Sequence, residues 1–232
     1  MTQSDVMISR LSMELLSCNL LIGLRLVALD YDTCQGGYMS GAIDPIHDPE
    51  ERGGFRFRGG HRAIDLTATL QGRLKETPRE LLNTPNDLVR WLAAAGLGYV
   101  PDATGKDVET ARTLREAIFT LAGHQDGDAR DARAMLNRIA AGVPAVPVLQ
   151  HNARFNLTGN AAALLVTLAR EAVQLLGGRE ASRIRQCQSP TCTIFFVDNS
   201  RKGDRRWCSM SACGNKAKVA EFRQRRSPGA AS

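Results

Sequence analysis

The 232-residue sequence predicts a mainly α protein: a helical N-terminal domain followed by a small C-terminal treble-clef-like module, a β-hairpin and a helix. Three observations carry this. Alanine, leucine and arginine dominate while aromatics make up only 5%, a balance that favours helix over sheet. Between residues 63 and 176, apolar residues recur at helical spacing, separated by capping residues and glycine stops. Beyond them, four of the six cysteines fall within 27 residues. The length suits one medium domain with a small appendage.

Residues 11–29 are rich in leucine, but Glu14 and Arg25 interrupt the run, which argues against a spanning helix. Ala28-Leu29-Asp30 is a poor cleavage site for a signal peptide. Residues 1–54 are read as an N-terminal extension without stable structure. An alternative is that residues 1–38 are translated upstream sequence ahead of a start at Met39. Residues 36–60, rich in Gly, Pro, Asp and Arg, read as loop. Within them Phe55-Arg56-Phe57-Arg58 alternates as a short strand does.

Residues 55–180 form the helical domain. The first helix is expected over residues 63–74, with Ile64, Ala68, Leu70 and Leu74 in phase. Thr84 caps a second and Pro85 takes its first position; Leu88, Trp91, Leu92 and Ala95 line one face up to Gly96. Residues 107–123 make a third, with Val108, Ala111, Leu114, Ile118 and Leu121 inward. Residues 128–141 make a fourth, with Ala132, Met135, Leu136 and Ile139. Residues 143–149 carry two prolines and read as a connector or edge strand. The longest helix spans residues 160–176 and stops at Gly177-Gly178.

The cysteines run Cys187-x4-Cys192-x15-Cys208-x4-Cys213. Clustering of this kind points to metal rather than a disulfide framework, and thiolates at a structural site select one tetrahedral Zn2+. Four cysteines leave no open position for a water, so the zinc is structural. The fifteen-residue gap has room for a hairpin: Thr193-Ile194-Phe195-Phe196-Val197 is β-prone, Asp198-Asn199-Ser200 turns, and Arg205-Arg206-Trp207 returns. Cys213 is expected in the first turn of a helix over residues 217–225, with Val219 and Phe222 as its inward stripe. Residues 181–226 thus form a zinc module, and residues 227–232 a disordered tail.

The net charge of +6 is unevenly spread. Residues 183–226 hold eleven Lys/Arg and three Asp/Glu, leaving 19 basic and 21 acidic residues elsewhere. Arg201, Lys202, Arg205 and Arg206 cluster at the hairpin; Lys216, Lys218, Arg223, Arg225 and Arg226 lie on the helix. A basic module on a near-neutral body is the electrostatic footprint of a nucleic-acid contact, although the same asymmetry fits a solvated basic tail. Trp207 packs either within the module or against the larger domain. The histidines, His47, His61, His124 and His151, show no ligand spacing. Asp65 reads as a capping or buried network residue, or as part of a small-molecule site. With no nucleophile elbow, phosphate loop or His-Glu metal helix, no enzymatic activity is expected.

The run Cys187-x4-Cys192, Ile194-Phe195-Phe196-x-Asp198-x-Ser200-Arg201, Arg205-Arg206-Trp207-Cys208-Ser209-Met210 and Cys213-Gly214-Asn215-Lys216 resembles the CGNR-type zinc finger of bacterial proteins. Lys216 replaces the final arginine of that motif, keeping the charge without the bidentate fork. Gly59-Gly60 leading to Ile64-Asp65-Leu66-Thr67-Ala68-Thr69, then Asn83-Thr84-Pro85-x-Asp87-Leu88-x-x-Trp91-Leu92 and Leu114-Arg115-Glu116-Ala117-Ile118, are similar to the ABATE domain of stress-induced transcription regulators. The family usually has Asn-Thr where this chain has Ala68-Thr69. The resemblance implies a zinc-containing, DNA-binding, cytoplasmic transcription regulator, with a helical domain that senses an effector or dimerises. A single short module buries little surface, which argues for a homodimer; no membrane partner is expected. Two other readings stay open, a zinc-stabilised protein-interaction module and an RNA-binding protein.

Overall fold

The computed structural model describes residues 50–123, 129–151 and 155–226. Most of the N-terminal extension, the C-terminal tail, Cys18, Cys34, His47 and His124 lie outside the described residues. Among the described residues, no helix is long and apolar enough to cross a membrane.

The chain enters through a minimal hairpin, β1 (Glu51–Arg52) and β2 (Phe55–Arg56), paired antiparallel. Gly53 and Gly54 form its turn with φ of 58° and 82°, the double left-handed conformation of a two-residue connection. Residues 51–54, expected to belong to the extension, are therefore its first arm and its turn. Phe55 and Phe57 drop into the core, and Phe57 stacks on Trp91 with centroids 6.3 Å apart.

Helix α1 (Arg62–Thr67) is shorter than its apolar pattern predicts. His61 caps it, its Nδ1 accepting from the Ala63 amide at 3.2 Å. The Thr67 and Thr69 hydroxyls donate back to the Ile64 and Leu66 carbonyls, each at 2.7 Å, hydroxyl bonding that competes with helix continuation. The chain then makes strand β3 (Leu70–Gln71), which pairs with β4 (Arg79–Glu80). Leu74 lies in the exposed turn between them.

Helix α2 (Pro85–Ala94) begins with a reciprocal cap: Asp87 donates its amide to the Thr84 hydroxyl, and the Thr84 amide donates to the Asp87 carboxylate. Leu88, Trp91 and Leu92 are fully buried, and Gly96 ends the helix with φ of 70°. Helix α3 (Gly105–Gly123) is the centrepiece, packed on α1, α2, α4 (Arg130–Ala140) and α5 (Ala161–Gly177). Its inward stripe runs Val108, Ala111, Leu114, Ile118 and Ala122. Asn160 caps α5 through its side-chain oxygen, which accepts from Ala163 at 2.9 Å. Between α4 and α5 lies an exposed hairpin, β5 (Val146–Leu149) with β6 (Phe155–Thr158). Of the proline-bearing segment at residues 143–149, read as a connector or edge strand, residues 146–149 form a strand.

Arg115 occupies a core position on α3, with its side chain 4% exposed. It is held by Glu80 at 2.7 Å, Glu116 at 2.8 Å and the Thr69 hydroxyl at 3.3 Å. Arg73 pairs with Glu116 from the far side and lies over the Phe119 ring. Burial of such charges is tolerable only because each is paired and hydrogen-bonded. Desolvation opposes the charge on Glu80, but its bonds to Arg115 and to the Leu82 amide outweigh it and hold its carboxyl below the usual range.

Candidate metal centre and basic surface

Beyond α5, a 3-10 turn (Ala181–Arg183) leads into β7 (Ile184–Gln186), which pairs antiparallel with β8 (Phe195–Val197). The expected hairpin therefore has a different partner. The strand in the gap pairs with residues upstream of Cys187, not with residues 205–207. The latter make a backbone bond just past this ladder, where the Gln188 amide donates to the Arg206 carbonyl at 3.0 Å. Alternation along β8 decides the arrangement. Phe195 and Val197 point into the helical core, while Phe196, fully buried, points the other way and packs with the cysteines. One strand thus serves two cores.

The four cysteine sulfurs all lie within 4.8 Å of one another. Cys192 Sγ and Cys213 Sγ each lie 3.8 Å from Cys208 Sγ. A tetrahedron with metal–sulfur bonds of about 2.3 Å has edges of about 3.8 Å, whereas a disulfide needs about 2.05 Å. The donor set therefore fits one zinc ion. Cys187, Cys208 and Cys213 are 5%, 0% and 9% exposed, and Cys192 is half-buried. Crowding leaves its mark on the thiols. Bonds from the Cys192 and Cys208 thiols hold Cys187 well below the ordinary thiol range, while Cys187 in turn pushes Cys192 up. Cys208 is pushed upward by both neighbours and by burial. Four thiolates cannot share this volume without a cation to offset their repulsion.

Cys213 sits in a π-helical turn (Met210–Gly214) just ahead of the last helix, α6 (Asn215–Arg226), rather than in that helix's first α-turn. Buried Ser209 caps the turn, its hydroxyl accepting from the Ala212 amide at 3.4 Å. Gly214 is closely packed: a Cβ there would come within 2.6 Å of the Met210 sulfur, which would have to swing aside, and 3.2 Å of the Trp207 ring. Asn215 donates its side-chain amide to the Ser211 carbonyl at 3.4 Å, bracing the turn. Trp207 packs against the cysteine cluster, not against the helical domain.

Asp198 is the organiser that the turn-prone reading of residues 198–200 overlooked. Its side chain is fully buried. It accepts from the Ser200 amide at 3.0 Å and the Arg205 amide at 2.9 Å, closing the loop between them. Desolvation works against its charge, yet Ser200, the Arg205 amide and the Arg185 guanidinium outweigh it and hold the carboxyl below its ordinary value. The Asp-x-Ser spacing is the available sequence signal for this Asx-type turn. Arg115 had a signal too, as a cation on the inward stripe of α3.

The basic residues divide into two groups. Arg205 is committed inside the finger: its guanidinium donates to the Trp207 carbonyl at 2.8 Å and to the Cys208 carbonyl, and lies over the Phe196 ring. Arg206 is exposed but bonded to Gln188 at 2.8 Å and set over Trp207. Arg201, Lys202, Lys216, Lys218, Arg223, Arg225 and Arg226 are exposed. The expected inward stripe of α6 is not buried. Val219 is 48% and Phe222 52% exposed, and α6 has no buried residue. The helix meets the rest of the described structure mainly through the π-turn that precedes it.

The finger is joined to the helical domain by backbone as well as side chains. The Val197 amide donates to the Gly59 carbonyl at 2.8 Å, while within the finger the Asp198 amide donates to the Arg183 carbonyl at 2.8 Å. The Gly59 amide in turn donates to buried Asp65 at 2.7 Å. Asp65 is thus a network residue, its carboxyl pushed up to about 7 chiefly by burial. Phe195 meets Phe119 edge-on with centroids 5.2 Å apart.

Comparison with known families returned two matches. Residues 183–226 match the CGNR zinc finger, and residues 60–179 match the ABATE model, described as "Putative stress-induced transcription regulator". No curated protein matched the chain.

Proposed function

We propose that this chain, which belongs to the ABATE family and carries a CGNR zinc finger at its C-terminal end, is a cytoplasmic transcription regulator that binds duplex DNA through helix α6. The observation that carries the reading is the exposure of that helix. It has no buried residue, projects from a metal-braced turn, and holds Lys216, Lys218, Arg223, Arg225 and Arg226 against the single acid Glu221. A helix about 10–12 Å across matches the major groove, about 12 Å wide. The zinc holds the turn from which this helix starts, and the protein acts by binding rather than by catalysis. In this reading Arg201 and Lys202, exposed on the loop closed by Asp198, meet flanking phosphates. Arg205 serves the finger's own fold in this reading.

The test is fluorescence anisotropy of the zinc-loaded protein with duplex DNA across a salt series. If the five basic side chains of α6 each neutralise a phosphate, the slope of log affinity against log salt is about −4 to −5. Substituting Lys218→Glu and Arg225→Glu together weakens binding and reduces the slope by about 2. Absence of affinity for duplex DNA at low salt would sink the proposal. Stronger retention by single-stranded RNA in competition would transfer it to RNA. The exposure of Val219 and Phe222 favours a second reading, in which α6 docks a partner protein; that contact would be largely insensitive to salt.

A further inference from the structure

A cavity of about 470 Å³ opens between α3, α4, α5 and the 3-10 turn that leads into the finger. Small-molecule sites usually fall between about 300 and 1,000 Å³. Its floor is aliphatic, with Leu136 from α4, Leu176 from α5 and Ile184 from β7, and Val173 of α5 lies at its edge. Its rim is polar and one-sided in charge. Arg133 and Asn137 lie one turn apart on α4, so they project to the same side, and Ser182 faces them from the 3-10 turn. Among the described residues, none of these three side chains has a hydrogen-bond or ion-pair partner, and no acidic residue lines the cavity.

We propose that this cavity binds a small amphipathic carboxylic acid. Its apolar body lies against Leu136, Leu176 and Ile184, and its carboxylate meets the Arg133 guanidinium, with Asn137 and Ser182 as further donors. Guanidinium is the side chain best matched to a carboxylate, through paired hydrogen bonds. An amine of the same shape finds a cation and no acid at the rim. Ile184 gives the site a link to the metal centre. It forms part of the cavity wall and is the first residue of β7, three positions before Cys187. A ligand resting on it stiffens the β7–β8 ladder. This inference goes beyond the DNA-binding reading and does not depend on it.

The experiment uses the zinc-loaded full chain, without DNA, so its failure and that of the DNA reading are separable. Isothermal titration compares octanoate with octylammonium. Octanoate is expected to bind and the amine not. Arg133→Gln weakens octanoate by about tenfold or more, the loss expected for one charge-assisted hydrogen bond. Val173→Trp, at a rim position 37% exposed in the parent, fills the cavity and abolishes binding while the melting temperature stays unchanged. Hydrogen exchange with octanoate bound shows added protection in α4 and in residues 184–187. Equal binding of acid and amine, an Arg133→Gln variant that binds as the parent does, or protection confined to other segments would each overturn the proposal.

Discussion

Replacing Phe195 by alanine tests whether finger and helical domain fold as one body. The ring is 5% exposed. It meets Phe119 edge-on at 5.2 Å, and its tip lies 3.3 Å from the position a Cβ would take at Gly123. Truncating a buried phenylalanine costs about 3–5 kcal/mol, of which the aromatic pair accounts for about 0.5–1.5 kcal/mol. The cost should fall toward the upper end, because the ring abuts helix backbone that cannot collapse to fill the space. For a protein of this size, each kcal/mol lowers the melting temperature by about 2–4 °C, so the expected drop is about 6–20 °C. Far-ultraviolet circular dichroism reads the melt, and zinc is titrated in parallel. The metal stoichiometry should remain one per chain, since Phe195 faces away from the cysteines. Phe196→Ala, on the opposite face of the strand, should instead loosen the metal. A Phe195→Ala melt within about 1 kcal/mol of the parent would refute the reasoning and make the finger a tethered appendage.

Cys208→Ser removes the sulfur that lies 3.8 Å from both Cys192 and Cys213; zinc content should fall well below one per chain, and cobalt reconstitution should lose the visible bands of a four-thiolate tetrahedron. Retention of a full zinc equivalent would show that the set is wrong. Asp65 sets a pH dependence: its carboxyl titrates at 3.8 when unperturbed and at about 7 in the fold. Between those values the folded state keeps a proton that the unfolded state has released, so its contribution to stability falls as pH rises through that window. Asp65→Asn keeps an acceptor for the Gly59 amide and removes the titration. Its stability advantage over the parent, read from urea midpoints, should grow from about pH 4 to about pH 7 and then level off. An advantage independent of pH would count against a buried, neutralised Asp65.

Helix caps and the metal cluster were legible because both are local. Thr84-Pro85-x-Asp87 and Asn160 announce helix starts within four residues, and cysteine spacing fixes chemistry without a fold. Features that depend on what lies opposite were not legible. Residues 63–74 have a helical phase, but two threonine hydroxyls and the pairing of Leu70 with Glu80 end the helix at Thr67. Within the β-prone run at residues 193–197 the strand is Phe195–Val197, yet its partner lies upstream because Ile184 shares its apolar face. Val219 and Phe222 looked inward on spacing alone; among the described residues no element buries them. Arg115 organises its surroundings through Thr69 and Glu80, 46 and 35 residues away in the chain, which spacing on α3 does not reveal; Asp198 read as a turn residue, and its burial and its bond to the Arg205 amide were not legible.

The seam between the two matched families falls at residues 180–182, but the physical seam does not follow it. Strand β8 lends alternate side chains to the helical core and to the metal, so cutting the gene at the family boundary would leave apolar faces bare on both products. A new host receiving this finger would have to supply equivalents of Phe119, Gly59 and Gly123 for Phe195 and Val197 to meet. Either part grafted alone is expected to fold less well than the pair, so the joint, and not each family segment, is the unit that a swap must preserve.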